Sequence, residues 1–328
     1  MPDARKERPE LAPAGSLVAE QSGVRWVFLG EHRLRAGWRL LVFLLLSSAL
    51  AFVGQLAASV LPRESLLWAT PGVGLLAALL AGWILLARLE DRAPGALGFP
   101  LTPAAPRELL AGTALGGALI TLAALLLLVS GNAAFSSDAG TVPEYLRALL
   151  GSLLFFGVAA AWEEALFRGY AFQVLVEGLG VWPAVGLSSA AFAAVHLGNP
   201  NVGRLAVANI FLAGVLLALA YLKTRSLWFA TAVHLGWNWA MASLLDFPVS
   251  GLVFDTPLYD VRETGPDWWT GGAFGPEAGL AGTAVLLLGT LWLARTRRLA
   301  PDARLLALRP IVDRRLSENA ECGSGNAE

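Results

Sequence analysis

Cysteine is almost absent: Cys322 stands alone in a polar C-terminal stretch, which excludes an intrachain disulfide and a cysteine-rich metal site. Charge is scarce too, at 15% of residues against about 25% in an average soluble domain. With 56% hydrophobic residues and a mean hydropathy of +0.59, the chain reads as a polytopic membrane protein. The net charge of -1 gives no basic excess of the kind that marks a nucleic-acid partner. Lysine occurs only at Lys6 and Lys223, so arginine carries nearly all the positive charge, and histidine only at His32, His196 and His234.

What is abundant is long apolar runs. A crossing helix needs about 20 mostly apolar residues, and the chain supplies spans at 40–61, 66–87, 109–129, 145–176, 183–198, 205–222, 226–245 and 278–294. The fold expected is an all-α polytopic membrane helix bundle of about eight transmembrane helices. Pro71 falls inside the second span and predicts a kink. Residues 1–23 lack helical periodicity and read as a disordered tail, with no signal-peptide pattern. Residues 24–39 mix Trp26, Phe28 and Trp38 with Glu31, Arg33, Arg35 and Arg39, which suits a segment lying in the headgroup region; His32 reads as surface. Residues 40–294 form one membrane domain with a motif core at 145–245, and 295–328 is a basic, then polar, tail.

Basic flanks give the orientation. Arg33, Arg35 and Arg39, then Arg88, Arg92 and Arg107, then Lys223 and Arg225, then Arg295, Arg297 and Arg298 fall on one side. Arg63, Arg147, Arg204 and Arg262 fall on the other, so the positive-inside rule predicts both termini in the cytoplasm. The Arg/Ala/Leu-rich composition suggests a bacterial inner membrane.

Against this apolar background, Trp162-Glu163-Glu164-Ala165-Leu166-Phe167-Arg168 places two carboxylates and a guanidinium within a span. Ionisable groups at such depth are a functional-site hypothesis by default. Glu164 and Arg168 are four apart and share a helix face, so they can pair; Glu163, about 100° round the helix, is left for another partner. The fourth span is too short if it ends near Trp162, which predicts a helix continuing past Arg168 to about Val176. On that reading Glu163 sits roughly 21 Å above Glu177, His196 roughly 21 Å above Trp182 and His234 roughly 16 Å above Lys223, at one level. Phe192 and His196, and His234 and Asn238, repeat the four-residue spacing. Singly, each has a plainer role: an ion pair locking two helices, a histidine bonded to a backbone carbonyl, an interhelical amide. Trp237 and Trp239 read as packing, and Trp268 and Trp269 as an interfacial belt.

The order Glu-Glu-x-x-x-Arg, Phe-x-x-x-His, His-x-x-x-Asn on three separate spans resembles the CPBP family of intramembrane proteases, which includes the type II CAAX prenyl endopeptidases and bacterial proteins linked to bacteriocin self-immunity. Arg35-Ala36-Gly37-Trp38-Arg39, Leu97-Gly98-Phe99 and His196-Leu197-Gly198-Asn199-Pro200 also look like its bacterial members. The resemblance implies that Glu163 and His196 activate a water, that His234 and Asn238 stabilise the oxyanion, and that Glu164, Arg168 and Phe192 support them. A carboxylate in a low-dielectric cavity is suited to such a base role.

Cofactor and substrate stay open. Glu163, His196 and His234 could form a His/His/Glu zinc set, although a Glu-His pair can also activate water without metal. The partners expected are the lipid bilayer and a membrane-associated protein or peptide reaching the site laterally or from the cytoplasmic side. The resemblance does not require a prenylated substrate, and oligomeric state is not legible. The alternative function is a non-proteolytic transporter or scaffold using the cluster to bind a cation or proton. The stretch 246–277, with Asp255, Asp260, Glu263, Asp267 and Glu277 against Arg262, reads as an external gate or a solvated loop.

Overall fold

The computed structural model describes residues 34–254 and 256–312. The readings made on residues 1–33 and 313–328, His32 among them, lie outside the described residues. The fold is an all-α polytopic bundle: α1 Ala36–Ala58, α2 Arg63–Leu89, α3 Ala105–Val129, α4 Val142–Phe167, α5 Tyr170–Leu179, α6 Val181–Val195, α7 Arg204–Thr224, α8 Leu227–Trp239 and α9 Leu280–Arg295. Six helical stretches are long and apolar enough to cross a membrane, α4 and α5 counting as one. The other two predicted spans are shorter: α8 continues only as a π turn, Ala240–Leu244, and α9 has 16 residues. Helix α2 runs unbroken through Pro71.

Chain direction alternates, so the connectors fall on two faces. One carries the start of α1, residues 90–104, the α5–α6 turn, the α7–α8 turn and the stretch after α9. Contacts hold this face together: Lys223 Nζ donates to the carbonyls of Ala294 and Thr296, Arg92 to that of Arg309, and the Leu227 amide to Gly98. The opposite face carries the α1–α2 turn and residues 130–141, 196–203 and 245–279.

Three expectations are corrected here. The fourth helix does not run through to Val176. It stops at Phe167, and the chain restarts as α5 after Gly169. The Arg168 and Gly169 amides both donate to the Glu164 carbonyl, and a Cβ at Gly169 would lie 2.2 Å from the Ala165 oxygen. Glycine therefore permits the break, and Ser188 Oγ of α6 caps the freed Phe167 carbonyl.

The headgroup segment proposed for 24–39 also fails at its end, because Ala36 to Arg39 belong to α1. Arg39 is buried, paired with Glu90 and Glu177, and Tyr170 donates to Glu90. A buried charge needs partners, and the ends of α2 and α5 provide them. Finally, 246–277 is not an ordinary solvated loop. Strand β2 (Tyr259–Glu263) pairs antiparallel with β1 (Ala133–Ser137), Ala133 opposite Glu263, and Glu277 is buried.

The main core gathers α3, α7, α8 and α9. Helices α3 and α8 approach closely because glycine faces backbone on both sides. A Cβ at Gly116 would lie 2.0 Å from the Val233 carbonyl oxygen, and one at Gly236 2.2 Å from that of Thr113. Small residues at helix contacts give this kind of approach in membranes, and here they brace the turn of α8 that carries His234. Gly116→Ala is expected to overpack this contact by about 1–3 kcal/mol, lowering the melting temperature in detergent, while Gly186→Ala, with open space around it, leaves it unchanged. Equal melting temperatures would show that the α3–α8 contact is slack.

Candidate active site

The break after Phe167 ends α4 with its charged cluster against the middle of the bundle. Glu164 and Arg168 are both fully buried, and Arg168 Nη1 donates to Glu164 Oε1 at 3.1 Å. Arg168 Nη2 donates to the Gly214 carbonyl of α7 at 3.1 Å, and its guanidinium lies 4.4 Å from the centre of the Phe192 ring. A desolvated cation over an aromatic face is stabilised by the ring quadrupole. The predicted pair is therefore present, and it joins α4, α6 and α7.

Glu164 has a second role that helix spacing could not reveal. The same Oε1 accepts from His234 Nδ1 at 3.1 Å, so an Arg168-Glu164-His234 chain crosses the bundle. A carboxylate on Nδ1 fixes the imidazole tautomer and orientation. His234 Nε2 is thereby turned toward Glu163, whose Oε2 lies 3.8 Å away. Glu163 Oε2 and Glu164 Oε2 both lack a hydrogen-bond partner among the described residues, so it is exposure that separates them. The two adjacent acids thus differ in kind: the Glu163 side chain is 26% exposed and that of Glu164 not at all.

Glu163, Phe192, His196, His234 and Asn238 line one cavity of about 710 Å³, while Glu164 and Arg168 stand behind its wall. Phe192 is central to that wall, with its ring 4.7 Å from that of His196 and 6.0 Å from that of His234, and edge-on to Phe167. His196 follows the last turn of α6, where Nδ1 meets the Phe192 carbonyl oxygen at 2.7 Å. Only a protonated Nδ1 can bond a carbonyl, which leaves Nε2 free in the neutral ring. Much of the remaining lining is apolar, including Leu66, Phe155, Phe156, Trp162 and Phe254. Trp162 fits because α2 has glycine at position 74, where a Cβ would lie 2.4 Å from the indole.

Several cavity groups were not legible from spacing. Glu277 precedes α9, and its Oε1 accepts from the Ser250 amide at 2.7 Å and Ser250 Oγ at 2.8 Å. Its Oε2 accepts from Trp237 Nε1 at 3.2 Å, so Trp237 bonds a cavity acid rather than only packing. Asn209 Nδ2 donates to the carbonyls of Glu277 and Gly279 and holds that turn, and Asn199 Nδ2 donates to the Ser250 carbonyl. The available signal was a carboxylate bracketed by Gly275 and Gly279 at the start of an apolar span. Trp239 and Trp269 donate instead to the Leu149 carbonyl and Ser130 Oγ, and Trp268 is exposed.

Among the described residues, no three His, Cys, Asp or Glu side chains are grouped so as to hold an ion. His234 donates one ring N–H to Glu164 and His196 one to a carbonyl, which leaves Nε2 of each ring as the nitrogen available to the cavity.

Residues 145–240 match the family model described as type II CAAX prenyl endopeptidase Rce1-like. No curated protein matches the chain. The matched segment contains α5 to α8 and most of α4, and so every residue of the three spaced motifs.

Removing one member of a buried ion pair costs about 3–5 kcal/mol because the other charge is left unpaired. Arg168→Leu is accordingly expected to fall sharply in membrane abundance. Combining it with Glu164→Leu should recover abundance on an immunoblot, while His234, without its holder, leaves the protein inactive. Full abundance of the single variant would mean that the pair does not support the fold.

Proposed function

We propose that the chain, whose residues 145–240 match the type II CAAX prenyl endopeptidase Rce1-like family model, is an intramembrane protease of the CPBP kind that hydrolyses a peptide bond of a membrane-associated protein or peptide, with Glu163 as general base. The observation that carries this reading is the division between the two acids. Glu163 lines the cavity and is partly exposed, while Glu164 stands behind the wall, wholly buried and engaged by Arg168 and His234.

The steps follow from the available atoms. A water beside Glu163 gives its proton to the carboxylate as its oxygen attacks the scissile carbonyl carbon. The free Nε2 of His196 accepts the second hydrogen of that water and aims the lone pair. The tetrahedral oxyanion is met by His234 as an imidazolium, its Nδ1–H held by Glu164 and its Nε2–H donating, and by the Asn238 amide one helical turn further on. Collapse breaks the C–N bond, and the proton held by Glu163 passes to the leaving amine, so no further reactant is needed. Preoriented donors in a site shielded from water are the kind of group that lowers acyl-transfer barriers. No step of this scheme calls on zinc.

Glu163→Gln, nearly isosteric, is expected to reach the membrane at wild-type level and lose about 10²–10⁴-fold in cleavage of a candidate substrate. Asn238→Ala should lose about 10²–10³-fold, the usual loss for one oxyanion donor. Purified protein should stay active under a chelator. Unchanged cleavage by Glu163→Gln would overturn the base assignment, and activity lost to chelation and restored by zinc would require the metal route.

A further inference from the structure

The face on which the cavity opens identifies the side from which substrate comes. The exposed apolar members of the lining are Leu67 (59%), Val195 (61%) and Leu252 (49%). They belong to the first turns of α2, the last residue of α6 and the bridged turn at Val249 to Leu252. All three lie at the face formed by the α1–α2 turn and residues 130–141, 196–203 and 245–279. No cavity-lining residue comes from the connectors of the other face, 90–104, 180 and 225–226.

That rim is built rather than incidental. Gly251, at φ +83°, tucks its backbone against the neighbouring turn, where a Cβ would lie 2.0 Å from the Pro200 carbonyl oxygen, and its amide donates to the Phe274 carbonyl. Asn199 and Glu277 fasten Ser250 from two sides. The turn bearing Leu252 is therefore fixed at the cavity's edge.

The basic residues lie at the other face. Arg35, Arg39, Arg88, Arg92, Arg107, Lys223, Arg225, Arg295, Arg297 and Arg298 flank the helix ends there, against Arg63, Arg147, Arg204 and Arg262 at the cavity's face. A Lys/Arg excess near span ends sets the cytoplasmic side. We propose that the cavity opens away from the cytoplasm and takes an apolar segment of a polypeptide presented from the extracytoplasmic side of the membrane. This replaces cytoplasmic access with access from the opposite side. Its substrate class rests on the proteolytic reading, whereas its sidedness rests on chain direction, exposure and charge alone. The apolar wall of Leu66, Phe155, Phe156 and Phe254 accepts apolar side chains flanking the scissile bond, while Glu163, His196, His234 and Asn238 are among the polar groups offered to its backbone.

The single native cysteine makes the test clean. In a Cys322→Ser background, Leu252→Cys and Leu67→Cys report on the cavity's rim and Leu101→Cys, 91% exposed, on the other face. In intact cells a membrane-impermeant maleimide is expected to label both rim positions, and to reach Leu101→Cys only after permeabilisation. A bulky impermeant maleimide added to intact cells should then lower cleavage at least tenfold in the Leu252→Cys protein and not in its parent. Rim cysteines protected until permeabilisation, or Leu101→Cys labelled in intact cells, overturn the sidedness; Leu67→Cys decides it alone if the Leu252 variant does not accumulate. Labelled rim cysteines with undiminished cleavage overturn access through this mouth. A parent protein without cleavage activity would instead sink the proteolytic reading and leave the labelling result standing.

Discussion

The buried contact between Arg168 and Glu164 is the constraint on which the other features depend. A guanidinium and a carboxylate removed from water cost far more than an exposed pair, and such groups persist when they are paired. Here the partners come from four helices: Glu164 and Arg168 at the end of α4, the Gly214 carbonyl of α7, the Phe192 ring of α6 and His234 of α8. Pairing this buried charge thus brings together the helices that carry the cavity's polar side chains. The same carboxylate oxygen that neutralises Arg168 turns His234 toward the cavity.

The helix break after Phe167 belongs to this arrangement. An unbroken α4 would continue its i→i−4 ladder past Arg168, whereas Gly169 lets the chain turn and Ser188 covers the freed carbonyl. The shared level of Glu163, His196 and His234 was expected from a continuous helix. It arises instead from contacts: Phe192 lies against Arg168, His196 and His234 together, and α3 presses on α8 beside His234 through Gly116 and Gly236.

Much of this was legible in the chain because membrane helices write their limits in hydropathy. Most of the spans and the pairing of Glu164 with Arg168 follow from apolar length and a spacing of four, whereas the common cavity of Glu163, His196, His234 and Asn238 was expected on a continuous fourth helix that the structure breaks. What was not legible depends on long-range contact. Nothing in the spacing pairs His234 with Glu164, 70 residues earlier, or Trp237 with Glu277, 40 residues later. The outer segment read as a polar loop because its order comes from turns, a two-stranded pairing with residues 133–137 and positive-φ glycines, none of which has a hydropathy signature.

The central claim is that two adjacent glutamates divide the work, one acting on water and the other holding the histidine and arginine in place. Thermal unfolding and single-turnover cleavage of Glu163→Gln and Glu164→Gln, purified side by side, test it most directly. The account predicts that Glu163→Gln melts like the wild type and does not cleave, whereas Glu164→Gln melts lower because Arg168 and His234 lose their shared acceptor. A Glu164→Gln protein with wild-type melting, or a Glu163→Gln protein that still cleaves, would contradict it.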